Sequence, residues 1–143
     1  MGQNILIIDY GMGNLHSIKK KLDRLNVHAQ VSSDELTILK ADKLILPGVG
    51  HFSKAMKNIS ELGILDAINY AVMDKQKPIL GICLGMQLMT NKSEEGNANG
   101  FGWFDADVVK FERDPNLKFK IPHIGWNQLT LKKESSLFSD IHT

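Results

Sequence analysis

Residues 78–89, PILGICLGMQLM, decide the fold: a short apolar run ends in Cys83, with Gly81 and Gly85 two residues to either side. This pattern is typical of a nucleophile elbow, a sharp strand-to-helix turn that leaves the cysteine exposed at the carboxyl end of the strand. Glycine permits the backbone torsions and the close approach that such a turn requires. The alternative is a small buried cysteine without reactivity, but the paired glycines favour the elbow. The amide N–H of Leu84 would then point toward a reacting carbonyl group.

The composition is that of an ordinary globular chain. Its 143 residues, 43% hydrophobic and 23% charged, predict a single domain over residues 1–143. A net charge of +1 does not indicate the strongly basic surface that nucleic-acid binding requires. A single cysteine excludes an internal disulfide and a multi-cysteine metal site, and it is compatible with a reducing compartment. Because we find neither a secretory signal nor an apolar run of membrane-spanning length, we expect a cytoplasmic protein that binds neither nucleic acid nor membranes.

Strands alternate with helices in the first half of the chain. Residues 4–8 and 43–46 are continuous apolar runs, typical of parallel strands covered on both faces, and a shorter strand is expected at 29–31. Apolar residues of segments 15–25 and 55–72 recur at spacings of three and four, which predicts amphipathic helices, the second interrupted near residue 63. This alternation predicts a parallel sheet whose ligands bind outside the carboxyl ends of the strands.

Glycine-containing loops follow the predicted strands at that edge. Residues 11–14 are no dinucleotide fingerprint, because His16 stands where the third glycine is required. Pro47 is expected to end its strand, and Gly48 and Gly50 allow the turn to direct N–H groups toward a ligand. An ordinary turn is the alternative at this position. Convergence with the Cys83 elbow at one sheet edge favours a shared site.

The second half has a different character. Residues 91–100 are polar and are expected to form a surface loop, whereas residues 104–111 alternate like a half-exposed strand. Residues 128–131 are a further strand candidate, and we expect this half to be antiparallel.

Several segments carry a shared pattern: DYGMGNL at 9–15, LPGVG at 46–50, GICLGMQ at 81–87, SEE at 93–95 and PHIGWN at 122–127. Taken together, these segments resemble the class I glutamine amidotransferases, in particular the glutaminase subunits of imidazole glycerol phosphate synthases and their close paralogues. The resemblance extends from the first strand to about Leu131. It implies an α/β fold of the flavodoxin-like, three-layer kind with a central, mostly parallel sheet.

The resemblance also implies roles for individual residues. Cys83 would attack the side-chain amide of glutamine and form a glutamyl thioester that water hydrolyses. The backbone amides of Leu84 and of the turn at Val49 and Gly50 would form the oxyanion hole, and a peptide flip in that turn would allow a partner to switch on catalysis. The residues expected to hold the glutamine substrate are Gly48, Gln87 and Glu95. Glu95 as a solvated loop carboxylate is the alternative.

A synthase (cyclase) subunit is the implied partner, in a heterodimer that channels ammonia, and the resemblance implies no cofactor and no metal. The residues expected to face that partner are Asn14, His123, Trp126 and Asn127. A tryptophan is more often a core residue, but Trp126 between Gly125 and Asn127 also suits docking.

The chain departs from the family pattern in two places. The family takes its catalytic base from a histidine with a glutamate two residues on, well after the cysteine, whereas His123 and His142 are the only histidines after Cys83 and neither has that partner. We therefore expect a domain that is incomplete at its C-terminus, or a second chain that supplies the rest, and a polypeptide that alone is a poor glutaminase.

The second departure is the segment at residues 100–106, GFGWFDA, whose tryptophan and aspartate look like paralogues that supply ammonia for surface-polysaccharide sugars. Three alternatives to the histidine-pathway glutaminase stay open. They are that paralogous amidotransferase, a non-catalytic binding module without its base, and a flavodoxin-like protein with a cofactor in the same crevice.

Overall fold

A computed structural model of the chain describes residues 3–112, 124–128, 130–133 and 135–136. The chain divides into two compact units, Met1–Lys110 and Phe111–Thr143. The elements of the first unit are, in order, β1 (Ile5–Ile8), α1 (Leu15–Arg24), β2 (Ala29–Ser32), α2 (Glu35–Lys40), β3 (Lys43–Gly48), α3 (Phe52–Glu61), α4 (Leu65–Asn69), a π-helix (Tyr70–Asp74), β4 (Ile79–Cys83), α5 (Leu84–Leu88), β5 (Thr90–Ser93), β6 (Ala98–Asn99) and β7 (Phe104–Val108).

The central sheet has the strand order β2-β1-β3-β4, and all of its pairings are parallel. Alternate residues of its inner strands point to opposite faces, as the pleat requires. Leu6 and Leu44 belong to the larger core, which the helices after β2 cover, whereas Ile7 and Ile45 pack with the apolar side of α1. The sheet therefore lies between two helical layers, and the expected α/β three-layer fold is confirmed.

The prediction that Pro47 ends its strand is wrong. β3 continues through Pro47 and Gly48, which pair with Ile82 and Cys83. The pairing of β3 with β1 ends earlier, at Ile45. The Pro47 carbonyl is turned toward Tyr10, beyond the end of β1. Since the N and C=O of one residue point to the same side of an extended strand, the missing N–H of Pro47 removes no ladder bond.

The polar segment at residues 91–100 is not the expected loop. Part of it forms β5 and β6, an antiparallel pair, and β5 also pairs in parallel with β7, so the antiparallel expectation holds only in part. Gly96 and Asn97 adopt positive φ angles of 83° and 47° in the connecting turn, which glycine and asparagine tolerate best. Ser93 is buried and accepts a hydrogen bond from the Glu95 N–H.

In the second unit, the described residues 124–128, 130–133 and 135–136 contain no strand, so the strand expected at residues 128–131 is not formed at its described positions. Ile124 and Trp126 are both strongly exposed there.

Candidate active site

Cys83 lies at the junction of a strand and a helix. It is the last residue of β4 and α5 begins at the next residue, Leu84. Its backbone torsions, φ 55° and ψ −117°, fall outside the regions that residues with a side chain ordinarily adopt. The thiol-bearing residue is exposed. The structure therefore has the geometry of a nucleophile elbow at Cys83.

The flanking glycines are required by the packing of α5. A Cβ atom on Gly81 would lie 2.7 Å from the Met86 Cα, and one on Gly85 would collide with the carbonyl oxygen of Leu46. Neither neighbour is a flexible side-chain end. The glycines thus allow α5 to fold back onto β4 and β3, which holds the cysteine at the turn.

The turn after β3 lies beside the elbow. Gly48 is the register partner of Cys83, and a Cβ atom on Gly48 would lie 2.9 Å from the Leu84 Cβ. Gly50 has a φ of 111°. Within the described part of the chain, the N–H groups of Val49 and Gly50 have no hydrogen-bond acceptor. The turn therefore offers free donors close to an exposed thiol.

The loop after β1 joins the same site. A Cβ atom on Gly50 would lie 2.8 Å from the Met12 Cε, and one on Gly13 would lie 3.5 Å from Pro47. The predicted convergence of the three glycine-containing loops is confirmed.

Tyr10 connects two of these loops, and sequence reasoning did not single it out. Its hydroxyl donates to the Pro47 carbonyl oxygen, with 2.6 Å between the oxygens, and its own carbonyl accepts from the Asn58 side-chain amide. Burial, and after it the charge of Cys83, raises the pKa of the phenol. A tyrosine two residues after the end of a strand, at the ligand-binding edge of the sheet, was the available signal.

Gln87 and Glu95 lie on elements that adjoin the elbow and the turn. Gln87 is a half-buried residue of α5, four residues after Cys83. One Glu95 carboxylate oxygen accepts a hydrogen bond from the Phe52 N–H at the start of α3, at 2.8 Å. Glu95 is therefore not simply a solvated carboxylate, since it holds a helix end two residues after Gly50.

The residues expected to face a partner are distributed over both units. Asn14 is exposed and caps α1, accepting from the Ser17 N–H at 3.1 Å. Trp126 and Asn127 belong to the second unit and are exposed. Their exposure argues against a core role for Trp126. His123 lies outside the described residues.

The segment that departs from the family pattern packs within the first unit. The Trp103 indole N–H donates to the Asn69 side-chain oxygen at 2.9 Å, and its ring stacks on Phe101 with 4.3 Å between centroids. Asp105 accepts from the Asn91 side-chain amide. Local packing therefore accounts for this tryptophan and aspartate.

Other site types have no support in the described residues. Among them no group of three or more histidine, cysteine or carboxylate side chains is placed to hold a metal ion, and no helix in the described ranges is long and apolar enough to cross a membrane. A cavity of about 410 Å³ adjoins the carboxyl end of β1, and Cys83 is not part of its wall. Its lining residues are Asp9, Tyr10, Gly11, Ser33, Asn58, Glu61 and Leu62.

In the described part of the chain, an exposed cysteine thus lies at a strained strand-to-helix turn of a parallel α/β sheet, and backbone N–H groups without an acceptor lie in the adjacent turn. The family described as glutamine amidotransferase class I matches residues 6–143, and the chain belongs to this family.

Curated relatives narrow the comparison. The chain is 47% identical over 137 residues to imidazole glycerol phosphate synthase subunit HisH 2 of Methanococcus maripaludis, covering 96% of this chain and 67% of that protein. It is 46% identical to subunit HisH 1 of Campylobacter jejuni (strain RM1221) and 43% identical to subunit HisH 2 of Pseudomonas aeruginosa, covering 96% of this chain in both cases, with 68% and 67% of the relatives. The chain thus spans about two thirds of the length of these relatives.

A solved structure supports the fold alone. A crystal structure of a glutamine amidotransferase superposes with a TM-score of 0.62 at 22% identity, over 73% of this chain and 55% of that one.

Proposed function

We propose that this chain is the glutaminase subunit of an imidazole glycerol phosphate synthase, which hydrolyses glutamine to glutamate and ammonia in histidine biosynthesis. Relatives that carry this subunit name match 96% of the chain at 43–47% identity. The observation that carries the chemistry is the strained, exposed Cys83 directly opposite Gly48, where the turn with its free N–H groups begins.

In the proposed reaction, the Cys83 sulfur attacks the side-chain amide carbon of glutamine. The S–C bond forms, the C–N bond breaks with a proton transferred to the nitrogen, and ammonia leaves. Water then hydrolyses the glutamyl thioester to glutamate and regenerates the thiol. The N–H groups of Leu84, Val49 and Gly50 stabilise the negative oxygen of each tetrahedral intermediate.

Gly48, Gln87 and Glu95 bind the substrate in this proposal. One oxygen of the Glu95 carboxylate accepts from the Phe52 N–H. The other oxygen is available to the α-ammonium group of glutamine. A charged donor and a carboxylate form one of the stronger hydrogen bonds in proteins.

The reaction also needs a general base that takes the proton of Cys83. None of the four histidines at positions 16, 28, 51 and 123 is followed by a glutamate two residues later. We therefore propose that a polypeptide of these 143 residues alone turns over glutamine poorly.

A synthase (cyclase) subunit is the proposed partner, in a heterodimer in a cytoplasmic setting. Asn14, His123, Trp126 and Asn127 contact that subunit in this proposal. The exposure of Trp126 supports the assignment, because aromatic side chains are enriched at interface hot spots.

The test is a glutaminase assay of this polypeptide, and of the longest product of the same gene, each with and without the synthase subunit from the same genome. We expect glutamate release by the complex to require Cys83, and a Cys83→Ser variant to lose it. A complex of the longest product that binds the synthase but releases no glutamate would instead support a non-catalytic module. Glutamate release supported only by a sugar-modifying synthase would assign the chain to the polysaccharide paralogues.

A further inference from the structure

The last peptide of β3, directly before the turn to α3, is held by a side chain from another loop. The Tyr10 hydroxyl is buried and donates to the Pro47 carbonyl oxygen at 2.6 Å. That oxygen and the N–H of Gly48 belong to one planar peptide unit. Fixing the oxygen therefore fixes the orientation of the whole Pro47–Gly48 peptide.

The next two peptides, which lie in the turn itself, are not held in this way. Val49 is 56% exposed, and within the described part of the chain the N–H groups of Val49 and Gly50 have no acceptor. The directions of the Val49 and Gly50 N–H groups therefore depend on the orientation of the Pro47–Gly48 peptide and on the backbone torsions at Gly48 and Val49.

Tyr10 is itself tightly constrained. Its side chain passes so close to Gly48 that a Cβ atom there would collide with the hydroxyl oxygen, and Asn58 holds its backbone carbonyl at 3.0 Å. Like any tyrosine, Tyr10 is protonated at neutral pH, and burial raises the pKa of its phenol further, so the hydroxyl acts as a donor there.

We propose that Tyr10 is a positioning residue for the oxyanion hole: its hydroxyl orients the Pro47–Gly48 peptide so that the Val49 and Gly50 N–H groups face the acyl oxygen of a substrate at Cys83. This inference rests on the proposed glutaminase function. Tyr10 does not touch the reacting atoms, because its effect passes through the Pro47 carbonyl.

Two reactions of Cys83 distinguish this role from general support of the site. Thioester formation from glutamine places negative charge on the carbonyl oxygen and needs the oxyanion hole. Alkylation by iodoacetamide is a displacement at carbon that forms no oxyanion, and it needs only an accessible Cys83 thiolate. A residue that acts through the oxyanion turn affects the first reaction and spares the second.

The experiment uses the complex of the synthase subunit with the longest product of the gene, and it compares the wild type with Tyr10→Phe, which removes the hydroxyl and keeps the ring. The matched control is Tyr70→Phe, since Tyr70 is the other tyrosine of the chain, is exposed, and lies in the π-helix. Should Tyr10→Phe fail to fold, 4-fluorophenylalanine at position 10 fills a similar volume without a donor.

For Tyr10→Phe we expect kcat for glutamine hydrolysis to fall about tenfold, less than the 10²–10³ that follows direct loss of an oxyanion donor, with KM and the alkylation rate within about twofold. Tyr70→Phe should match the wild type in all three. Unchanged hydrolysis, or a parallel loss of hydrolysis and alkylation, overturns the inference, as does failure of both position-10 variants to fold. A wild-type complex without glutaminase activity overturns the proposed function and this inference with it, whereas an active wild type with an equally active Tyr10→Phe overturns the inference alone.

Discussion

The carboxylate of Glu95 accepts a hydrogen bond from the backbone N–H of Phe52, with 2.8 Å between the two atoms. Phe52 is the first residue of α3, and the N-cap residue His51 supplies no side-chain acceptor to the helix. Glu95, in the turn between β5 and β6, therefore satisfies one of the N–H groups that a helix start leaves without a partner, and its negative charge suits that end of the helix. α3 thus begins shortly after the turn at Val49 and Gly50, and Glu95 of the β5–β6 turn stabilises this helix start.

Replacing Glu95 with Gln separates the structural and substrate-binding roles of this residue. Glutamine retains an oxygen acceptor for the Phe52 N–H but cannot pair its charge with an α-ammonium group. Hydrogen bonds to charged groups contribute about 1.5–3 kcal/mol, so we expect KM for glutamine to rise about 10–100-fold with little change in the thermal unfolding midpoint. Steady-state kinetics and a thermal melt of the complex measure both quantities.

Glu94→Gln is the matched control for this variant. It makes the same chemical change one residue earlier, where the carboxylate accepts from the Lys110 N–H instead. We expect its KM to equal that of the wild type. If Glu95→Gln also keeps the wild-type KM, Glu95 has only the structural role.

Gly85→Ala should be strongly destabilising. Its Cβ would collide with the Leu46 carbonyl oxygen and lie 2.7 Å from the carbonyl carbon, so backbone would have to move. Overpacking typically costs about 1–3 kcal/mol. Because backbone must move here, we expect Gly85→Ala to lower the free energy of unfolding, measured in urea, by at least about 3 kcal/mol. Gly125→Ala, whose Cβ meets no atom of the described residues within 4 Å, should change it by less than about 0.5 kcal/mol. Equal effects would mean that α5 does not pack on β3 as described.

Asp34 provides a test of stability against pH. Its carboxylate caps α2 by accepting from the Thr37 N–H and hydroxyl, and these bonds lower the pKa of the carboxyl group. Because the folded-state pKa lies below the unfolded value near 4, the stabilisation is present above about pH 4 and is lost as the pH falls through the folded value. Asp34→Ala should therefore unfold at a lower temperature than the wild type at pH 7, and the difference should shrink toward pH 3. A difference independent of pH would show that the charged form of the cap is not what stabilises α2.

Much of this architecture follows from local sequence. The elbow was predictable because Gly81 and Gly85 flank the cysteine at the spacing that a strand-to-helix turn needs, and continuous apolar runs identified the inner strands. The β5–β6 pair was not predictable, because its polar residues do not alternate with apolar ones. Its pairing depends on the buried Ser93 and on positive φ angles in the turn.

Local sequence patterns also did not predict two contacts of the site. The Tyr10–Pro47 and Glu95–Phe52 hydrogen bonds join residues separated by 37 and 43 positions. A single tyrosine or glutamate gives no periodic signal of a partner that distant in the chain, and only the folded sheet edge brings these residues together.

The most direct test of the central proposal is to trap the acyl-enzyme at Cys83. The complex of the synthase subunit with the longest product of the gene is mixed with glutamine, quenched in acid within the first turnovers, digested and analysed by mass spectrometry. Because Cys83 is the single cysteine of the chain, a thioester has one possible position. We predict a glutamyl adduct on the Cys83 peptide, absent without glutamine and absent in Cys83→Ser. Undiminished glutamine hydrolysis by Cys83→Ser would contradict the account.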